Sequence, residues 1–99
     1  PPKSNSAVAL QNNVAAFNTA MHTGKAEQAY ALLSSRCRSI MPLSQFTELV
    51  DNAGATAVTG YSANILGSRA FVSYTAAGQK HGDEAWALES SAWKMDSCN

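Results

Sequence analysis

Charge is scarce in this chain. Charged residues make up 14% of its 99 positions, against roughly 25% in ordinary soluble domains. Seven basic and seven acidic residues cancel, and no run or stripe of Lys and Arg stands out. Nucleic-acid binding needs such a stripe to neutralise phosphates, so no nucleic-acid partner is expected. No apolar run approaches the roughly 18 residues of a membrane-spanning helix. Cysteine is limited to Cys37 and Cys98, far apart in sequence and without a CxxC pair. His22 and His81 are isolated, whereas a structural zinc site takes four close ligands. No metal and no cofactor is expected. The two cysteines are either a disulfide, which an exported protein would favour, or two buried thiols.

What is present is apolar and small polar. Apolar residues are 45% of the chain, enough for a core and too many for disorder. The length fits one domain, and a domain this small is marginally stable. The surface is Ser, Thr, Asn, Gln and Ala, a composition that hints at an extracytoplasmic protein. Residues 1–6, Pro-Pro-Lys-Ser-Asn-Ser, read as a linker following a leader, lipid anchor or membrane helix. Residues 7–99 read as a single domain.

Periodicity orders the chain. Leu10, Val14, Phe17 and Met21 recur at helical spacing over Ser6 to Met21, with Ser4 or Ser6 as cap and Thr23-Gly24 as stop. Lys25 to Ser34 is a second helix, showing Ala26, Ala29, Tyr30 and Leu33 on one face. Ser35 to Met41 has no clean period and reads as a loop. Ser44 caps a third helix carrying Phe46, Leu49 and Val50, stopped by Asn52 and Gly54.

From Thr56 the period becomes two. Strands are expected over Thr56–Leu66 with a bulge at Gly60, Arg69–Ala76, Glu84–Glu89 and Ala92–Cys98. Gly67-Ser68 and Ser90-Ser91 are tight turns, and Ala77–Asp83 is a longer loop. Helices first and strands after mean α+β: three N-terminal helices on a four-stranded antiparallel meander.

The run Gly24-Lys25-Ala26-Glu27-Gln28-Ala29-Tyr30-Ala31-Leu32-Leu33-Ser34 is followed by Cys37. Leu43-Ser44-Gln45-Phe46, Trp86 and the ending Trp93-Lys94-Met95-Asp96-Ser97-Cys98 complete a pattern. From about Val8 to Cys98 it resembles the cystatin-like α+β roll of the nuclear-transport-factor-two-like superfamily. It is most similar to small secreted or lipid-anchored members of actinobacterial cell envelopes. The resemblance implies a curved sheet and a Cys37–Cys98 bridge between the segment after helix two and the last strand. It also implies a cone-shaped pocket between helices and sheet, where enzymatic members place Asp, Tyr or His.

Tyr30, Tyr61, Tyr74 and Trp86 are the candidates to rim that pocket, against ordinary core packing. No catalytic residue is assigned. Helix one has no carboxylate, and Glu84, Glu89 and Asp96 are expected near strand ends or on the outer face. His81 with Asp83 could do acid/base work, but a polar hairpin tip is the favoured reading. His22 reads as a helix C-terminal cap, and Arg36 and Arg38 as solvated charges. Ser34-Ser35 and Ser90-Ser91 lack an activating base.

The leading expectation is a non-enzymatic extracytoplasmic binding or interaction domain of a lipoprotein or membrane protein. Its partner would be an unidentified protein or a small apolar ligand. A dehydratase- or isomerase-type enzyme and a dimerisation module pairing through the sheet face are the alternatives.

Overall fold

The apolar stripe predicted for the first helix is the one that packs. A computed structural model describes residues 7–98; the expected linker 1–6, with the caps Ser4 and Ser6, lies outside the described residues. Helix α1 (Ala7–His22) buries Leu10, Val14, Phe17 and Ala20. Asn18 is buried among them because its Nδ2 donates to the Val14 carbonyl at 2.9 Å. Gly24, at φ +71°, turns the chain. His22, in the last turn of α1, has its Nδ1 3.1 Å from the Asp51 carboxylate. That pair ties the end of α1 to the chain preceding the sheet.

The second helix ends earlier than its apolar face suggests. Helix α2 covers Ala26–Ala31, after which Leu33 leaves to form a parallel bridge with Met95. The Met95 N–H donates to the Leu32 carbonyl at 2.7 Å, and the Ser34 N–H to the Met95 carbonyl at 2.8 Å. Backbone groups at a sheet edge are thereby satisfied. Ser35–Met41, expected as a loop, contains a helix α3 (Ser35–Ile40). Only Cys37 of this helix is buried, so it leaves no apolar period to read. Its cap is Ser34, whose hydroxyl accepts from the Cys37 N–H at 3.2 Å. Helix α4 (Leu43–Thr47) starts from Pro42 rather than Ser44, ends at Glu48, and buries Phe46 alone. Among the described residues there are thus four helices.

Strands β1 (Thr59–Leu66), β2 (Arg69–Ala76), β3 (Gln79–Glu89) and β4 (Ala92–Met95) form one open antiparallel sheet in the order β1-β2-β3-β4. The expected Ala77–Asp83 loop is only a two-residue turn. Ala77 and Gly78 both have positive φ, which suits a tight hairpin, and β3 begins at Gln79. Gly82 and Asp83 are instead a bulge: the register with β2 shifts so that His81 faces Tyr74 and Glu84 faces Val72. A second register shift, between Thr59 and Ser62, contains the expected bulge at Gly60. The side of the sheet that meets the helices carries Ala70, Val72, Tyr74 and Ala76 of β2, with Trp86 and Trp93, all buried. Phe17 of α1 meets Trp86 edge-to-face, centroids 6.1 Å apart.

Past β4 the chain is clamped. Cys37 and Cys98 form a disulfide, Cα atoms 5.6 Å apart, across 61 residues. In the chain-entropy account a loop of that length is worth about 4 kcal/mol. Beside the bridge lies Asp96, which is buried rather than on an outer face. It accepts from the Ser34 hydroxyl, from Arg36 Nε at 3.1 Å and from Arg69 at 3.4 Å. Arg36 is therefore not a free solvated charge, and Arg38 donates to the Leu33 carbonyl at 2.8 Å. Glu89 accepts from the Ser35 N–H and hydroxyl. Ser34 and Ser35, read as lacking an activating base, thus both have structural partners.

Burial alone would raise the Asp96 carboxyl, but the Ser34 hydroxyl and the Arg36 and Arg69 guanidiniums outweigh it. They hold the group below its ordinary 3.8. The ionised form is favoured by folding, so this stabilisation is complete above pH 3.8 and is lost as pH falls through the folded value. Asp96→Asn is expected to cost about 1–2 kcal/mol at pH 7. Urea unfolding at pH 7 and pH 3 checks this: the gap from wild type should shrink at the lower pH. An equal gap at both would show that the charge contributes nothing.

Candidate functional site

A cleft of about 320 Å³ lies between the helices and the sheet. Its helical wall comprises Phe17 and Met21 of α1, Phe46 of α4 and the adjoining Leu49. Leu33, Met41 and the Cys37–Cys98 bridge close one side, and Met95 of β4 lies beneath them. All three methionines of the chain are among these residues. Methionine is flexible and polarisable, so such a wall adapts to apolar shapes. A volume near 300 Å³ with mostly apolar walls and a few polar groups suits a small ligand. A more open depression of about 400 Å³ lies between α2 and α4, lined by Gly24, Lys25, Glu27 and Gln28. It lacks apolar walls of comparable extent, and the cleft is the better candidate.

Three polar residues line the cleft: Ser97 beside the disulfide, and His81 and Glu84, both from β3. The latter two share one face of the strand because the Gly82–Asp83 bulge inserts one extra residue between them. The His81 ring stacks on Tyr74, centroids 4.7 Å apart. Its Nδ1 is 3.7 Å from Glu84 Oε2, an electrostatic contact rather than a hydrogen bond. Glu84 is anchored from beneath: it accepts from the Tyr74 hydroxyl at 2.8 Å and from Trp86 Nε1 at 2.9 Å. The same pair borders a second cavity of about 170 Å³, which Tyr74, Asn18 and His22 also line. His81 and Glu84, with Phe17 and Met21, therefore line both hollows. His81 is not at a hairpin tip, and Glu84 is not on the outer face.

The four aromatics expected around a pocket have separate places. Tyr74 borders the smaller cavity. Trp86 is fully buried and acts on the site through its bond to Glu84. Tyr30 packs against Phe46 at 5.5 Å and donates its hydroxyl to the Arg38 and Met41 carbonyls at 3.1 and 3.0 Å, holding α2, α3 and the start of α4 together. Tyr61 lies on β1, and its hydroxyl is buried with no hydrogen-bond partner among the described residues. Asp83, at φ +52°, is exposed in the bulge, and its backbone N–H bonds the Ser73 hydroxyl at 3.2 Å. Among the described residues no cluster of three His, Cys, Asp or Glu could hold a metal ion. No helix there is long and apolar enough to cross a membrane.

Glu84 and the methionines escaped the sequence reading. Gly82-Asp83 resembles part of a loop, and reading it so starts the third strand only at Glu84 and leaves His81 outside it, whereas β3 begins at Gln79. Gln79, Lys80 and His81 are all polar and show no alternation that would mark a strand, so the bulge is visible only in the register with β2.

The chain matches no known protein family, no curated protein and no solved structure.

Burial, and secondarily the negative Glu84 carboxylate, push the Tyr74 hydroxyl well above its ordinary 10.0, although the Asn18 side chain pulls the other way. The neutral phenol is favoured by folding, so its stabilisation is intact below pH 10 and fades as the unfolded chain ionises above it. Tyr74→Phe should cost about 1 kcal/mol at pH 7. Urea midpoints at pH 7 and pH 11 provide the test: the gap should narrow at the higher pH, and a constant gap would contradict the arrangement.

Proposed function

We propose that the chain is an extracytoplasmic binding domain that takes a small apolar ligand in the cleft between its helices and its sheet. The cleft itself carries this reading: a mostly apolar, methionine-rich hollow of about 320 Å³ whose ionisable spot is at His81 and Glu84. A ligand fitting it has an apolar body and a single hydrogen-bonding group placed against that spot. The disulfide supports an oxidising compartment, and with it the reading of a secreted or membrane-anchored cell-envelope protein. The resemblance to the nuclear-transport-factor-two-like roll supports the same reading, because that fold is expected to curve its sheet around such a pocket.

A second reading, an enzyme of dehydratase or isomerase type, has one observation in its favour. An imidazole with a carboxylate 3.7 Å away lies on a cleft wall, where it could move a proton. It stands second because Glu84 is already engaged by Tyr74 and Trp86 and, among the described residues, no second acid or base lines the cleft.

The test uses 1-anilinonaphthalene-8-sulfonate as an apolar probe on the oxidised, folded chain. Saturable binding at one site is expected, weakened at least about tenfold in Met41→Trp, which fills the cleft, with circular dichroism unchanged. Absence of binding, or binding indifferent to Met41→Trp, would remove the proposal. The enzyme reading further requires exchange of a small ketone's carbon-bound protons with D2O, lost in His81→Ala.

A further inference from the structure

We infer that β1 is a self-pairing edge through which two copies of this chain join into one continuous eight-stranded sheet. The two edges of the sheet differ. At β4 the outer side is closed by the Leu33–Met95 bridge and by Lys94, whose Nζ donates to the Ala31 carbonyl at 2.7 Å. At β1, among the described residues, no strand pairs with the outer side, and none of its eight residues is buried.

Open edges are normally protected by charge, proline or a bulge. β1 reads Thr-Gly-Tyr-Ser-Ala-Asn-Ile-Leu and is the one strand of the four without a charged residue. Its single irregularity, at Gly60–Tyr61, blunts only the start of the strand. Ser62 to Leu66 remain regular and unguarded.

The occupant follows from register. The two-residue turn Gly67–Ser68 makes Leu66 and Arg69 a hydrogen-bonded pair, so alternation assigns Asn64 and Ser62 to the bonds with β2. Ala63 and Ile65 then direct their N–H and C=O groups outward. A two-fold axis through Ala63 places Ala63 opposite its own copy, Ile65 opposite Tyr61, and Ser62 opposite Asn64. The strand is thus complementary to itself. An aromatic meets a β-branched residue on the helix side, two amide- or hydroxyl-bearing residues meet on the other, and no like charges face each other. Tyr61 and Ile65 are half-buried, and the second copy would cover more of them. A short interface of this kind gives reversible, concentration-dependent association.

Sedimentation equilibrium from micromolar to millimolar concentration tests this on the whole, oxidised chain. A reversible dimer is expected, with the Ala63 and Ile65 amides gaining protection from hydrogen exchange as concentration rises. Ala63→Pro removes the outward N–H while sparing the bonds to β2. Ala63→Lys places two like charges on the axis. Each should weaken the dimer at least about tenfold, and the pair guards against one variant failing to fold. A dimer of unchanged strength in both folded variants, as pairing through the sheet face would give, overturns the inference. So does a chain that stays monomeric throughout, which would leave the edge to a strand of another protein.

Discussion

The bond between Cys37 and Cys98 is the constraint on which the rest of this small domain depends. The two sulfurs join α3 to the chain just past β4, so the helical layer cannot lift from the sheet at that end. The neighbouring contacts converge on the same place. Ser34 caps α3 and donates to Asp96; Arg36 and Arg69 close on that carboxylate from α3 and from β2. A buried carboxylate is costly unless it is paired and hydrogen-bonded, and here the partners come from the α3 cap, from α3 and from β2. The clamp is covalent at its centre and electrostatic around it.

The cleft is a consequence of that clamp. Cys37, Cys98, Leu33 and Met95 form its floor and one side, and the bridge and the Leu33–Met95 pairing put them there. α1 and α4 supply the opposite wall through Phe17, Met21 and Phe46. Small domains tend to fill the space between layers with side chains. Here the largest aromatics, Trp86 and Trp93, are packed elsewhere in the core, and the gap is bordered by thinner, more mobile methionines. The polar spot depends on a different device, the Gly82–Asp83 bulge, which places His81 and Glu84 side by side.

Much of this order was legible in the sequence, and the exceptions share a cause. The stripe of α1 and the alternation of β2 are strong because many residues repeat the same environment. α3 has one buried residue, Cys37, and shows no period; α4, expected from Phe46, Leu49 and Val50, stops at Thr47 and buries Phe46 alone, so its bounds differ. Tertiary contacts decide them: Ser34 and the disulfide for α3, Tyr30 against Phe46 for α4. The early end of α2 has the same origin, since Leu33 pairs with Met95 instead of continuing an apolar helical face. For the site, the tyrosines were visible as aromatic residues, but only the β2–β3 register shows that Tyr74 supports His81 and Glu84. Asp96 was misplaced for a similar reason: its partners, Arg36 and Arg69, are distant in sequence and meet it only through the fold.

The central claim is that the disulfide clamp builds the cleft. Amide chemical-shift mapping by NMR with decanoate as the probe, on the oxidised and the reduced chain, tests it most directly. The account predicts shifts centred on Leu33, Met41, His81 and Cys98 in the oxidised protein, and affinity at least about tenfold weaker after reduction while the sheet signals persist. Equal affinity in both forms, or shifts centred away from these residues, would contradict it.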